Sequence, residues 1–152
     1  MTFPNIFTKE VSEQLINRIG QLTPESQPQW GKMNVAQMMA HCCVVYETVY
    51  TDKHPRPNVV ARFIVRLLAK STVTGPKPYP KNGRTAPHFI IADERDFELE
   101  KGRLTEYVEK TQKLGESHFD GKESHSFGKL NKVEWNMMFY KHLDHHLKQF
   151  GV

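Results

Sequence analysis

The stretch from Met33 to Tyr50 constrains the fold more than any other part of the chain. Asn34 can cap a helix, and Gln37 sits three residues on, the spacing of a capping box. Met33 before the cap and Met38 after it can staple the entry. Val35, Met38, Met39, Cys42, Val45, Tyr46 and Val49 then follow at helical spacing and give a broad buried face. A helix apolar over so wide an arc needs other helices packed around it.

The rest of the chain supplies them. Thr8 to Leu22 carries Val11, Leu15, Ile19 and Leu22 on one stripe, and Thr23-Pro24 ends it. Asn58 to Lys70 reads as a short third helix, with Val60, Phe63, Ile64, Leu67 and Leu68 expected inside and Arg62, Arg66 and Lys70 on an exposed face. Ser71 to about Ala92, with Pro76, Pro78, Pro80 and Pro87, reads as a long loop of functional or lid type, anchored by Phe89-Ile90-Ile91. A fourth helix is expected from about Asp93 to Leu114, stopped by Gly115. Glu116 to Lys129 reads as a polar loop. The last helix repeats the capping box with Asn131 and Glu134, staples with Leu130 and Trp135, and ends near Gly151. No strand alternation and no repeat stand out. The expectation is one all-α domain over residues 1–152, a helical bundle with an extra short helix and long loops.

Charge narrows the partners. The net charge is +4, and no block of five or six like charges occurs, so neither nucleic acid nor a membrane is an expected partner. The longest apolar stretch, Val59 to Ala69, is broken by Arg62 and Arg66 and is too short to span a bilayer. Met1 to Ile6 has neither a basic nor an apolar leader region, and the two cysteines, Cys42 and Cys43, are neighbours unsuited to a disulfide framework. The cytoplasm is the expected compartment. The cysteines read as small buried helix residues rather than nucleophiles.

The histidines carry the chemistry. His142 and His146 are four apart on a helix, so both rings point to one face. Such a pair alone occurs on many helices without a metal. His41 lies mid-helix among Met38, Cys42 and Val45, where a lone histidine is more often simply a hydrogen-bonded core residue. Together the three can converge on one ion, as bundles build metal sites. His145 is a rival ligand or a supporting group. Asp144 is expected to face solvent, and His54, His88, His118 and His125 to be surface loop residues. No Gly-x-Ser-x-Gly elbow, phosphate loop, dinucleotide fingerprint or His-Glu-x-x-His motif is present, so no built-in general base accompanies the pair.

Three segments resemble the DUF1569 proteins: Trp30-Gly31-Lys32-Met33-Asn34-Val35-Ala36-Gln37-Met38 followed by His41-Cys42; Ser126-Phe127-Gly128-Lys129-Leu130 before Glu134-Trp135; and Lys141-His142-Leu143-Asp144-His145-His146-Leu147-Lys148-Gln149-Phe150-Gly151. Thr85-Ala86-Pro87 through Asp96-Phe97-Glu98 is similar too. The resemblance implies a DinB-like (YfiT-like) four-helix bundle of up-down-down-up type, often a homodimer. It implies a nickel or zinc ion on His41, His142 and His146, and a small-molecule substrate. Relatives of that superfamily include thiol-dependent S-transferases, so a low-molecular-weight thiol cosubstrate is implied, with hydrolysis by activated water beside it. The competing readings are a non-catalytic metal- or ligand-binding protein, for instance in stress response, and histidines that serve structure alone.

Overall fold

The computed structural model describes residues 3–152, and every regular element among them is helical. Helix α1 is Lys9–Gln21, α2 Val35–Tyr50, α3 Val59–Thr74, α4 Phe97–Leu114 and α5 the short Glu116–Phe119. Pro87–Phe89 forms a single 3₁₀ turn. The C-terminal rod comprises α6 (Lys132–Asn136), a π turn (Met137–Lys141) and α7 (His142–Gln149), with helical backbone across both joints. Among the described residues, no helix is long and apolar enough to cross a membrane.

Side-chain caps set the starts. Asn34 and Asn131 each close a full capping box, with Gln37 and Glu134 returning the bond. Thr8, Asn58 and Asp96 cap α1, α3 and α4. The Asp96 cap makes α4 begin at Phe97, four residues later than the sequence pattern implied. Gly115, at φ 75°, lies in the left-handed region that ends α4.

The core lies between α1, α2, α4 and the C-terminal rod. Leu15, Ile19, Met38, Met39, Tyr46, Leu104, Phe119, Trp135 and Phe139 are all fully buried there. The Tyr46 ring stacks at 5.2 Å on Phe139 and 5.4 Å on Tyr107, tying three helices together. Charge is buried beside this core. Glu47 of α2 accepts from Arg103 of α4, from Lys53 and from His54, and Arg103 also donates to Glu100. Burial pushes the Glu47 carboxyl up, but these bonds prevail and hold it below its ordinary range. The result fixes α2 rotationally against α4.

Three expectations are corrected. First, α3 is largely inverted: Val60, Phe63, Ile64, Leu67 and Leu68 face outward and Arg62 and Lys70 reach inward to Glu123 and Glu134, while Arg66 alone of the three cations is exposed as expected. The core is already closed by the other helices, so α3 rides outside it. Second, Asp144 is buried rather than solvent-facing, because Arg18 of α1 grips it at 2.8 Å and Lys148 at 2.8 Å. Third, the long loop is displaced to 75–96, since α3 runs to Thr74 and α4 starts only at Phe97; the Pro87–Phe89 turn interrupts it, and Phe89 packs against the core. Ile90 stays exposed.

Lys141, in the π turn, secures the end of α3. Its buried ammonium donates to the carbonyls of Thr72, Gly75 and Lys77 at 2.7, 2.6 and 3.1 Å. A cation at a helix C-terminus satisfies carbonyls that have no helical partner. Burial draws its pKa down to about 8, so it still carries its proton at pH 7. Replacing Lys141 with Met leaves these carbonyls without their donor. A loss of about 2 kcal/mol in urea unfolding is expected, with faster proteolysis between residues 75 and 80.

Candidate metal centre

His41 projects from the middle of α2, and His142 and His146 from successive turns of α7. Their rings meet with centroids 4.6 to 5.0 Å apart, and one nitrogen from each lies within 4.8 Å of the others. His41 and His146 are buried, and His142 keeps a small exposed edge.

Hydrogen bonding determines which nitrogens face the centre. His41 Nδ1 lies 2.8 Å from the Phe89 carbonyl, which can only accept, so Nδ1 carries the proton and Nε2 is bare. Gln149 Nε2 donates to the Trp30 carbonyl at 2.6 Å, which turns Gln149 Oε1 toward His146. Oε1 accepts from His146 Nδ1 at 2.7 Å, so Nε2 of His146 is bare as well. His41 Nε2 and His142 Nε2 are 3.1 Å apart. Two nitrogens each about 2.0–2.1 Å from one ion stand about 3.0–3.4 Å apart in octahedral or tetrahedral geometry. Without a metal the same spacing lets a neutral His142 donate from Nε2 to the bare Nε2 of His41. The donor set and the outer bonds therefore fit a divalent metal.

All three rings are neutral. Burial lowers the pKa of His41, and it lowers His142 well below the ordinary value, with the charge of His146 and His41 adding to the effect. Burial, then His41, brings His146 down to about 3. Neutral imidazole is the form that binds metal.

The surroundings are aromatic and cationic. Phe89 lies 5.5 Å from the His41 ring and 6.0 Å from His142. Tyr79 sits edge-on to His142 and His145, and Trp30 edge-on to His145. Lys81 Nζ is 4.3 Å above the Trp30 ring. His145 thus borders the centre from outside and is not one of the three converging histidines. Asp144, committed to Arg18 and Lys148, is turned away. Cys42 and Cys43 are buried free thiols pushed up by burial, Cys43 to about 12, and are inert.

Sequence reasoning missed several supporting residues. Gln149 sits three after His146 and was legible only as a helix end. Gly31, at φ 84°, is needed because a Cβ there would lie 2.5 Å from Gln149 Nε2. Three loop histidines also gather instead of scattering: His88 stands 5.9 Å from His54 and 5.7 Å from His125, ring to ring. His118 remains exposed, as expected.

A family model described as a protein of unknown function, DUF1569, matches residues 7–151. The chain belongs to the DUF1569 family. Neither a curated protein nor a solved structure gives a match. All three converging histidines of this DUF1569 chain, together with Trp30, Gly31 and Gln149, lie within the matched residues.

This geometry has two measurable consequences. Gln149→Ala frees the His146 ring to rotate and exposes its wrong tautomer, so zinc affinity should fall roughly 10- to 100-fold in competition titrations. The metal-free protein should also lose stability in acid. His146 titrates at about 3 when folded and near 6.5 when unfolded, so its contribution is complete above pH 6.5 and declines as pH falls toward 3. The slope approaches about 1.4 kcal/mol per pH unit for each histidine kept neutral. Urea unfolding between pH 7 and pH 5 should show it, with a shallower slope in His146→Gln.

Proposed function

We propose that this DUF1569 protein is a metal-dependent enzyme in which His41, His142 and His146 hold one divalent ion, nickel or zinc by the family resemblance. The observation that supports this best is the pair of outer hydrogen bonds, from His41 to the Phe89 carbonyl and from His146 to Gln149, which aim bare nitrogens at one point. An ion held by three neutral ligands keeps its full charge and open positions, and supplies a Lewis acid that lowers the pKa of a coordinated low-molecular-weight thiol or water. The reading is therefore thiol S-transfer or hydrolysis on a small-molecule substrate.

The chain's own residues have definable parts in this. Phe89 and Tyr79 cover the histidines and limit water. His145 and Lys81, at the border, place cationic or proton-carrying groups where a substrate would approach. The helical packing is consistent with a DinB-like four-helix bundle formed by α1, α2, α4 and the C-terminal rod, with α3 as the added helix. Two buried free thiols suit a reducing cytoplasm.

A second reading, a metal- or ligand-binding protein without turnover, draws support from Asp144. It is the carboxylate adjacent in sequence to the histidines, and its ion pairs remove it from acid–base work. Thiol-transfer assays on a model electrophile separate the two readings.

The first test is elemental mass spectrometry on protein purified without a histidine tag. About one nickel or zinc ion per chain is expected, with most of it lost in His146→Ala. A parent protein that carries no metal and takes up neither ion when it is supplied would sink the proposal.

A further inference from the structure

Helix α3 turns its apolar side to solvent. Val59, Val60, Phe63, Ile64, Leu67 and Leu68 are 49 to 81% exposed, and no residue of the helix is buried. At about 100° per residue these side chains share one half of the helix surface. Large apolar side chains gathered in this way exceed the few hundred Å² of apolar patch that a monomer ordinarily leaves in water. The opposite side carries Ala61, Val65, Ala69 and Val73. Ion pairs from Arg62 to Glu123 and Lys70 to Glu134 hold the helix against the body, and Lys141 grips the carbonyls of its last turn.

Cations without partners border that face. Arg66 is exposed and makes no ion pair among the described residues, and its helical angle puts it at the Val59 edge of the apolar half. Lys129 is exposed and equally unpaired among the described residues. Ser124 donates to the Gly128 carbonyl from both its amide and its hydroxyl at 2.8 Å, which closes the turn that carries Lys129. Arg66, Lys129 and Ser126 line one open cleft of about 510 Å³ together with Val59 and Phe63. Glu123 lines it too, but its carboxylate is engaged by Arg62.

The wider segment has the same sign. The 40 residues from Lys53 to Ala92 contain eight lysines and arginines and no acid. Lys53, Arg62 and Lys70 are paired with acids of other segments. Arg56, Arg66, Lys77, Lys81 and Arg84 are exposed and form no ion pair among the described residues. Arg56 and Lys77 lie just outside the two ends of α3. The remainder of the chain carries 13 cations against 17 acids, so the positive charge is concentrated in the segment that holds α3.

We propose that the outer face of α3 docks on the surface of a bilayer containing anionic phospholipid. Phe63, Ile64, Leu67 and Leu68 enter the boundary between headgroups and acyl chains, and Arg66 and Lys129 hold lipid phosphates at the cleft. An apolar half with free cations at its rim is the form of a helix that lies in a membrane interface. The helix rests on the bilayer and does not span it, since Arg62 and Arg66 interrupt its 16 residues. A second copy is the poorer occupant, because it would set Arg66 and Lys129 of each chain near their like-charged counterparts. Nucleic acid meets the cations but offers nothing to Val60, Ile64 and Leu67, since bases are held by aromatic stacking and polar contacts. An anionic bilayer supplies both acyl chains and phosphates. The sequence shows no run of like charges because Lys129 joins Arg66 only through the fold.

Flotation of the full chain with vesicles tests this. The chain should bind vesicles of phosphatidylcholine mixed with phosphatidylserine, bind pure phosphatidylcholine about tenfold more weakly or less, and lose affinity severalfold between low and high sodium chloride. Phe63→Glu and Leu67→Glu should each weaken binding by about tenfold or more, with unchanged circular dichroism. Arg66→Gln and Lys129→Gln should each weaken it about fivefold. Leu99→Glu, at an exposed leucine on α4, should bind as the parent does. The added tryptophan emission of Phe63→Trp should shift to the blue on the mixed vesicles and be quenched by brominated acyl chains. Vesicle binding reads α3 and not the histidines, which keeps this result separate from the fate of the metal centre. The proposal is overturned by a parent that stays off the mixed vesicles at low salt, by binding indifferent to Leu67→Glu, which is adsorption by charge alone, or by a preference for duplex DNA over the mixed vesicles.

Discussion

A carbonyl oxygen accepts hydrogen bonds and cannot donate them, and two such oxygens decide what the histidine cluster is. The Phe89 carbonyl fixes the proton of His41, and the Gln149 side-chain oxygen, itself oriented by Trp30, fixes that of His146. The neighbouring structure serves to keep those acceptors in place. The Pro87–Phe89 turn must sit against α2, the Trp30 loop must lie beside α7, and Gly31 must leave room for the amide. Burial keeps the rings neutral, and neutrality preserves the lone pairs.

Buried charge is used around the centre and not within it. The Glu47, Arg103 and Glu100 network lies one and a half turns beyond His41 on α2, and it locks the rotation of that helix against α4. The Arg18 to Asp144 pair does the same for α1 against α7. Buried ion pairs contribute little net stability once desolvation is counted, but they penalise any rotation that separates them. Ring nitrogens that must share one point within a few tenths of an ångström benefit from that kind of rigidity.

The sequence was most legible where the signal is local. Both capping boxes, the apolar stripes of α1 and α2 and the four-residue spacing of His142 and His146 depend on neighbours a turn away, and each appears where the pattern placed it. The illegible features depend on partners far along the chain. Periodicity showed that α3 has an apolar side but could not say that the core would already be full. Asp144 looked free because Arg18 is 126 residues away. Phe89 was expected as an apolar anchor, yet its backbone oxygen matters as much as its ring. His54, His88 and His125 came from three separate loops, and nothing in their spacing hinted that they would meet.

The π turn at Met137–Lys141 sets which way the end of the chain faces. A π turn holds one residue more than an α turn and takes it up by underwinding, whereas each residue of an α-helix advances the chain by about 100°. If the five residues tightened into α geometry, everything after them would turn by roughly a quarter-turn, and His142 and His146 would leave His41. The wide turn thus works as an angular spacer: it lets one rod present its first half to the core through Trp135 and Phe139 and its second half to His41, with no break in the helical backbone.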